Sequence, residues 1–271
     1  MALVPFPGAQ TGALKPLPDD DDDPLVGGKM SFLEHLDELR KRIVNACIAV
    51  GVGVVLTFAF IQKIFDFLLA PTRSALPPGV KLIYTQPGEA FSLYVTVALI
   101  AGVVVAAPFI MFQVWMFIAP GLYSNEKRMA IPFVLFTTVG FLLGAAFNHY
   151  IAFPFMMKFF ASFNTPDLAF MPKLEDVFGL YSKMLIGMGI VFQMPTVVYF
   201  LAKLKLITAR FLARHFKYAF LIIFVLAAVI TPTGDMMTQA IFAAPMVGLY
   251  LLSIVVAWLV GPKTFGGGEA D

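Results

Sequence analysis

The sequence predicts an all-α membrane protein that crosses the bilayer six times. Of its 271 residues, 59% are hydrophobic and 13% are charged, and the mean hydropathy is +0.85. Soluble domains are about a quarter charged, so this composition excludes an ordinary soluble fold. Several apolar stretches reach the ~20 residues that a transmembrane helix needs. Pro, Gly and charged residues gather in the connections between them, as expected for turns between helices.

Two polar tails flank the apolar part of the chain. Residues 1–29 are rich in Pro and Gly and contain an acidic run from Asp19 to Asp23, which is typical of a disordered extension. They lack the basic start and continuous apolar core of a signal peptide. We therefore expect one transmembrane domain over residues 30–262 and a flexible tail over residues 263–271.

Six apolar stretches within this domain fit membrane-spanning helices. They cover approximately residues 43–69, 91–118, 128–153, 178–203, 216–231 and 239–260. The breaks are marked by Pro71 with Pro77-Pro78-Gly79, by Pro120-Gly121, by Pro154 with Pro166 and Pro172, by the basic stretch 203–217, and by Pro232-Thr233-Gly234. As a helix, the fifth stretch is about 24 Å long, which is less than the ~30 Å hydrocarbon core. We expect it to thin the bilayer locally or to depend on snorkelling by Arg214 and Lys217.

Positive charges predict the orientation of these helices. With the N-terminus in the cytoplasm, the cytoplasmic segments from Lys29 onward contain about twice as many Lys and Arg residues as the outer segments. Cytoplasmic loops of membrane proteins carry such an excess. We therefore expect both termini in the cytoplasm.

The apolar stretches contain few groups that could carry chemistry. Their clearest polar side chains are Gln113 and Gln193, whereas proton-driven pumps usually have Asp, Glu or His at mid-depth. The sequence has no phosphate-binding loop and no nucleophile or zinc motif of an intramembrane protease. The three His residues and the single Cys47 are too scattered for a metal site. These features favour a docking or scaffold role, without cofactor, metal or nucleic acid, over an enzyme.

A dense cluster of both charge signs, residues 30–42, precedes the first apolar stretch. Ser31 and Glu34 form a capping box, which predicts that a helix begins there and continues into the membrane. Two pairs of opposite charge have the favourable four-residue spacing for helix ion pairs: Asp37 with Lys41, and Glu38 with Arg42. These pairs also fit an interfacial helix with no further role, so spacing leaves the function of the carboxylates open.

A second carboxylate of interest is Glu126, between the second and third apolar stretches. The predicted orientation puts it on the same cytoplasmic side as Glu38. Ser124 is suitably placed to cap the third helix, with Glu126 in its first turn. A carboxylate in that position stabilises the helix dipole by about 0.3–1 kcal/mol, so position alone favours a structural role for Glu126.

Several segments, in order along the chain, resemble the TatC family, the receptor and core subunit of the twin-arginine protein translocase. They are 35–42 (HLDELRKR), 70–71 (AP), 112–123 (FQVWMFIAPGLY), 126–128 (EKR), 192–195 (FQMP) and 231–235 (TPTGD). The resemblance covers about residues 30–262 and implies a concave six-helix bundle with short fifth and sixth helices. It also implies an inner-membrane receptor that binds twin-arginine signal peptides and uses the proton-motive force to export folded proteins.

The resemblance assigns roles to particular residues of the cytoplasmic face. Glu38 and Glu126 match the carboxylates that bind the signal peptide. Other functional positions of this face match Leu39, Arg40 and Phe117. Two adjacent arginines require two carboxylates, because each planar guanidinium pairs with one carboxylate through two charge-assisted bonds. We expect Arg40 to serve local structure or lipid head groups, since it would repel an arginine ligand.

Further matches concern partner subunits and the outer face. Gln193 matches a mid-membrane position, often Glu in the family, that contacts single-span TatA or TatB subunits; glutamine keeps a hydrogen bond but no ion pair. Asp235 and Pro71 match outer-face or structural positions, and a turn cap after Pro232 explains Asp235 equally well. Self-association and membrane lipids complete the implied partners. The alternative that the residues leave open is a small-solute transporter with a midplane site at Gln193 and Gln113.

Overall fold

The computed structural model describes residues 32–76, 82–118, 130–165, 167, 170–231 and 235–261, and nearly all of them are helical. The α-helices are α1 Phe32–Phe58, α2 Ile61–Ala75, α3 Glu89–Ile118, α4 Ala130–Phe147, α5 Phe153–Ala161, α6 Leu174–Val191, α7 Met194–Lys203, α8 Ala209–Arg214, α9 Phe216–Ile230 and α10 Met236–Val260. A π-helical segment, Asn148–Ala152, joins α4 to α5. Predicted features that fall outside the described residues are both tails, Ser31, Pro77-Pro78-Gly79, Pro120-Gly121, Ser124, Glu126, Pro166 and Pro232-Thr233-Gly234. The predicted all-α class is confirmed.

Five helical stretches of the described chain are long and apolar enough to cross a membrane: Leu33–Phe58, Glu89–Ile118, Ile131–Ala161, Leu174–Lys203 and Met236–Val260. The helix α9 is apolar but has only 15 residues, so the fifth predicted span is short, as expected. In contrast, α10 has 25 residues, and the expectation of a short sixth helix is wrong. The additional length lies at its start, where Asp235 caps the helix ahead of Met236.

The first predicted span is two helices. A turn at residues 59–60 separates α1 from α2. Pro71 lies inside α2 and is buried, so the prediction that it ends the span is wrong. A proline within a helix removes one backbone donor, yet α2 continues to Ala75, and the Ser74 hydroxyl donates to the Pro71 carbonyl at 2.9 Å.

The third and fourth predicted spans are also interrupted. The π-helical segment lies between α4 and α5, and Pro154 follows in the first turn of α5. The first turn of a helix tolerates proline, and the chain remains helical to Ala161, so the prediction that Pro154 ends this span is wrong. In the fourth span, a turn at Phe192 and Gln193 separates α6 from α7.

The helix α1 packs along α3 through small residues. A Cβ atom added at Gly53 would lie 2.6 Å from the backbone oxygen of Gly102, well inside van der Waals contact. Next to this contact, the Thr57 hydroxyl donates to the Ala98 carbonyl at 3.2 Å. Only 11% of the most apolar part of α1 is buried within the protein. Most contacts of α1 are with α3, so this helix pair is the main attachment of α1 to the bundle.

The hydrophobic core lies mainly among α2, α3, α5, α6, α9 and α10, and no described residue of α1 belongs to it. Its largest fully buried side chains are Tyr181, Phe153, Phe242, Met156, Met157, Met184 and Met188. Methionine is flexible and fills irregular gaps, which suits helices that are interrupted by turns.

The two ends of the bundle differ in chemistry. At the start of α3, the buried Glu89 carboxylate accepts backbone N–H bonds from Thr85 at 2.7 Å and from Glu175 at 3.2 Å, which joins α3 to the start of α6. At the end of α3, Trp115 packs against Phe133 at the start of α4, with ring centroids 4.8 Å apart. The first end is therefore tied by a carboxylate and the second by aromatic rings.

Candidate functional site

An ion pair within α1 holds Glu38 in the second turn of the helix. Its Oε1 accepts a 2.9 Å hydrogen bond from Nη2 of Arg42, one turn later, which confirms the predicted pair. Both side chains are mostly buried, with 15% of Glu38 and 19% of Arg42 exposed. Oε2 of Glu38 is buried and has no hydrogen-bond partner among the described residues. Within the described part of the chain, Glu38 therefore retains an unused acceptor atom.

Three other charges of this segment are not paired with one another. Asp37, Arg40 and Lys41 are exposed, and none of them takes part in an ion pair within the described part of the chain. The predicted pair between Asp37 and Lys41 therefore does not form. Exposed pairs contribute only ~0–1 kcal/mol, so its absence costs α1 little. These three charges remain available to solvent, lipid head groups or a partner.

Phe117 brings the end of α3 to the start of α1. Its ring stacks on that of His35, with 4.5 Å between centroids and 23° between planes. His35 precedes Glu38 by about one helical turn, so Glu38 and Phe117 lie at the same end of the bundle. Leu39, next to Glu38, is half-buried. The structure thus brings together three of the residues predicted for the cytoplasmic face.

Glu126 lies outside the described residues, between the end of α3 at Ile118 and the start of α4 at Ala130. The structure therefore gives the geometry of one of the two predicted carboxylates. The contact between Trp115 and Phe133 makes the two helix ends that flank Glu126 neighbours.

Gln193 lies at the break between α6 and α7. Its Nε2 donates to the carbonyls of Thr137 at 2.9 Å and of Gly189 at 3.3 Å, which ties the break to α4. Its Oε1 is buried and has no hydrogen-bond partner in the described chain. Along α7, Gln193 is about 10 Å from Phe200, which packs with Trp115 at the other end of this helix. The structure therefore gives Gln193 an internal role, away from Trp115.

Asp235 and Pro71 both have structural roles. Oδ1 of Asp235 accepts the backbone N–H of Thr238 at 2.7 Å, which makes Asp235 the N-cap of α10. Of the two interpretations that the sequence left open for Asp235, the turn cap is confirmed. Pro71 is buried within α2, which packs against α5 and α3.

Sequence reasoning missed one buried carboxylate, Glu89, which is 4% exposed. A pattern that could have found it is an acidic residue directly after Pro-Gly at the start of an apolar stretch, because helix N-termini favour carboxylates. Its three backbone donors are Thr85, Gln86 and Glu175. Glu89 fixes the end of α3 that is opposite Phe117.

Comparison with known proteins identifies close relatives of the whole bundle. A family model described as Sec-independent protein translocase protein (TatC) matches residues 34–245. The chain is 42% identical to the Sec-independent protein translocase protein TatC of Koribacter versatilis over 237 residues, 86% of this chain and 87% of the relative. It is also 42% identical, over 235 residues and 87% of each chain, to the protein of that name from Desulforapulum autotrophicum.

Solved structures show the same likeness in three dimensions. A crystal structure of the twin arginine translocase receptor TatC has a TM-score of 0.74 and 37% identity, covering 84% of this chain and 99% of the solved one. A crystal structure of that receptor in DDM has a TM-score of 0.74 and 36% identity, covering 83% and 99%. The shared unit is therefore nearly the whole of each solved chain.

Proposed function

Because this chain belongs to the TatC family of Sec-independent, twin-arginine protein translocase subunits, we propose that it is the receptor that binds twin-arginine signal peptides at Glu38 and Glu126. The observation that carries the proposal is the Glu38 carboxylate. It is mostly buried, and one of its oxygens has no partner among the described residues. A solved relative is described as a twin arginine translocase receptor, which supports the same role here.

The chemistry of paired arginines fits two carboxylates. A guanidinium is a planar fork that pairs with one carboxylate through two parallel bonds. Glu38 comes from α1 and Glu126 from the connection between α3 and α4, so each carboxylate can face one guanidinium. The contact between His35 and Phe117 holds α1 against the end of α3, which supports a short distance between the two segments.

We propose that other subunits move the cargo itself across the membrane. We expect single-span subunits of the TatA or TatB type to contact the bundle near Gln193, whose Oε1 atom is unused in the described chain. Copies of this chain associate in the receptor complex. The proton-motive force drives export, in keeping with a sequence that contains no phosphate-binding loop. The protein is a receptor and scaffold rather than an enzyme.

The proposal also fixes a location and an orientation. The protein lies in the bacterial inner membrane with both termini in the cytoplasm, and residues 30–262 form a single domain with six spans. In this arrangement α9 is the fifth span, and the exposed Arg40 and Lys41 face anionic lipid head groups.

The test is the binding of a twin-arginine signal peptide to the full chain in membranes with its partner subunits. Glu38→Gln and Glu126→Gln preserve side-chain size and remove the charge. We expect each to reduce site-specific crosslinking to the peptide roughly tenfold or more, because hydrogen bonds to charged groups contribute about 1.5–3 kcal/mol. Asp37→Asn is the matched control, since Asp37 is exposed and adjacent.

Two results would contradict the proposal. Unchanged crosslinking in both Gln variants would remove Glu38 and Glu126 from the site. An equal loss in Asp37→Asn would attribute the effect to the net charge of the segment and not to a carboxylate clamp.

A further inference from the structure

The ion pair between Glu38 and Arg42 is incomplete. It consists of one hydrogen bond, from Nη2 to Oε1, at 2.9 Å. Oε2 of Glu38 and Nε of Arg42 are both buried, and neither has a hydrogen-bond partner among the described residues. A side-on pair between carboxylate and guanidinium would use these two atoms for its second bond. The resting pair therefore lacks the second bond of the fork.

An incomplete pair is readily exchanged. A buried donor and a buried acceptor without partners raise the free energy of the resting state. A guanidinium from another molecule that makes both bonds to Glu38 recovers the part of this free energy that belongs to the unpaired acceptor, Oε2. A fork to Glu38 needs Oε1, which already accepts a bond from Arg42 in the resting pair, so the incoming guanidinium competes with Arg42 for this atom.

We propose that Arg42 competes with the signal peptide for Glu38 and that this competition increases the preference of the receptor for arginine over lysine. This rests on the proposed function, because it takes Glu38 as part of the signal-peptide site. Exchange of one guanidinium for another leaves the carboxylate paired as well as before or better. A lysine ammonium is a point charge that forms no fork, so its exchange for the guanidinium of Arg42 weakens the pairing of Glu38. Arg42 therefore opposes the binding of lysine more than that of arginine.

The neighbouring charges do not share this role. Arg40 and Lys41 are exposed, and neither forms an ion pair with Glu38 in the described chain. Arg42 differs because residues four apart on a helix face each other. Lys41 therefore serves as a control with the same charge at the adjacent position.

The test compares Arg42→Gln, Arg42→Lys and Lys41→Gln in the full chain with its partner subunits. Each variant is titrated with a fluorescent signal peptide that carries Arg-Arg and with its Lys-Lys counterpart. We expect Arg42→Gln to reduce the preference for Arg-Arg by about two- to fivefold, or ~0.4–1 kcal/mol at ~1.4 kcal/mol per tenfold. Arg42→Lys reduces the preference less, because lysine is a weaker competitor, and Lys41→Gln leaves it unchanged.

Three outcomes would overturn this role for Arg42. Weaker binding of both peptides to Arg42→Gln would mean that Arg42 orients Glu38 instead of competing for it. An unchanged preference would mean that Arg42 takes no part in selection. Failure of the proposed function is a separate result, in which Glu38→Gln binds the Arg-Arg peptide normally. In the Glu38→Gln background, Arg42→Gln leaves the preference unaltered, because no carboxylate remains to compete for; a change there also overturns the proposal.

Discussion

Asp235 is a carboxylate whose position is explained by the backbone that follows it. It has the extended conformation of an N-cap residue, and its Oδ1 accepts the Thr238 N–H at 2.7 Å. One of the otherwise unsatisfied donors at the start of α10 is thereby paired. A functional role of Asp235 at the outer face stays a prediction.

Two substitutions of Asp235 distinguish the contribution of the capping hydrogen bond from that of the negative charge. We expect Asp235→Ala to lower the free energy of unfolding by about 1 kcal/mol, whereas Asp235→Asn keeps a cap of similar strength. Denaturant unfolding of the purified protein in detergent measures both. Equal stability of Asp235→Ala and the parent would contradict the cap, and loss of export in a stable Asp235→Asn variant would reveal a role for the charge.

Local and distant contacts differ in how far the sequence can predict them. The pair between Glu38 and Arg42 follows from helical spacing alone, and the structure confirms it. The motif around Gln193 identifies that residue, but its hydrogen bond to Thr137 crosses from α7 to α4 and depends on how these helices pack. The stacking of His35 on Phe117 also joins two helices, so no local sequence pattern predicts it.

At the scale of elements, α1 stands apart because it contacts the bundle mainly through α3. The contact depends on two glycines, since a Cβ atom at Gly53 would meet the backbone of Gly102 and not a movable side chain. Gly51 on the same helix is exposed, and a Cβ atom there meets nothing within 4 Å. The two positions therefore form a matched pair.

Alanine at these two positions is expected to act in opposite directions. Gly53→Ala separates α1 from α3 and lowers the free energy of unfolding by about 1–3 kcal/mol, as overpacking does. Gly51→Ala is neutral or stabilises by up to about 1 kcal/mol, because alanine favours helix. Thermal or denaturant unfolding in detergent distinguishes them. A Gly53→Ala variant as stable as Gly51→Ala would show that the helices are not in close contact.

Hydropathy predicts where the helices lie but not where they are interrupted. The turn at residues 59–60 falls within an apolar run without Pro or Gly. The π-helical segment is followed by Pro154, which cannot donate to the carbonyl four residues earlier, inside that segment. Conversely, Pro71 lies inside a helix. For Pro71, tertiary packing overrides the local preference, because α2 packs against α5, a contact that no local sequence window contains.

For the whole molecule, the number of spans depends on α9. The ring of Phe216 at its start lies 5.9 Å from that of Tyr250, and the Gln239 side chain donates to the Phe224 carbonyl at 2.9 Å. The helices α9 and α10 are thus antiparallel neighbours, and α10 continues past Tyr250 to Val260. At about 22 Å, α9 is shorter than the ~30 Å hydrocarbon core. Its crossing therefore requires a thinner bilayer or snorkelling ends.

Cysteine accessibility tests this topology. In a Cys47→Ala background, we expect Asp167→Cys to react with a membrane-impermeant maleimide in intact spheroplasts. Gly28→Cys and Thr264→Cys are expected to react only after lysis, because the proposed six crossings and cytoplasmic N-terminus put both tails in the cytoplasm. Labelling of Thr264→Cys but not Gly28→Cys in intact spheroplasts would show that the chain crosses an odd number of times.

The sparse attachment of α1 has a consequence for biosynthesis. The helix α1 leaves the ribosome before its packing partner α3, which begins only at Glu89. During that interval α1 has to be stable in lipid without α3, and we expect the positive charges at its start to help orient it, because Lys and Arg near helix ends bias orientation. We therefore expect Arg40, Lys41 and Arg42 to act in insertion before any ligand is bound. Substitutions near Glu38 are therefore restricted in evolution to those that keep enough positive charge to insert the chain in the correct orientation.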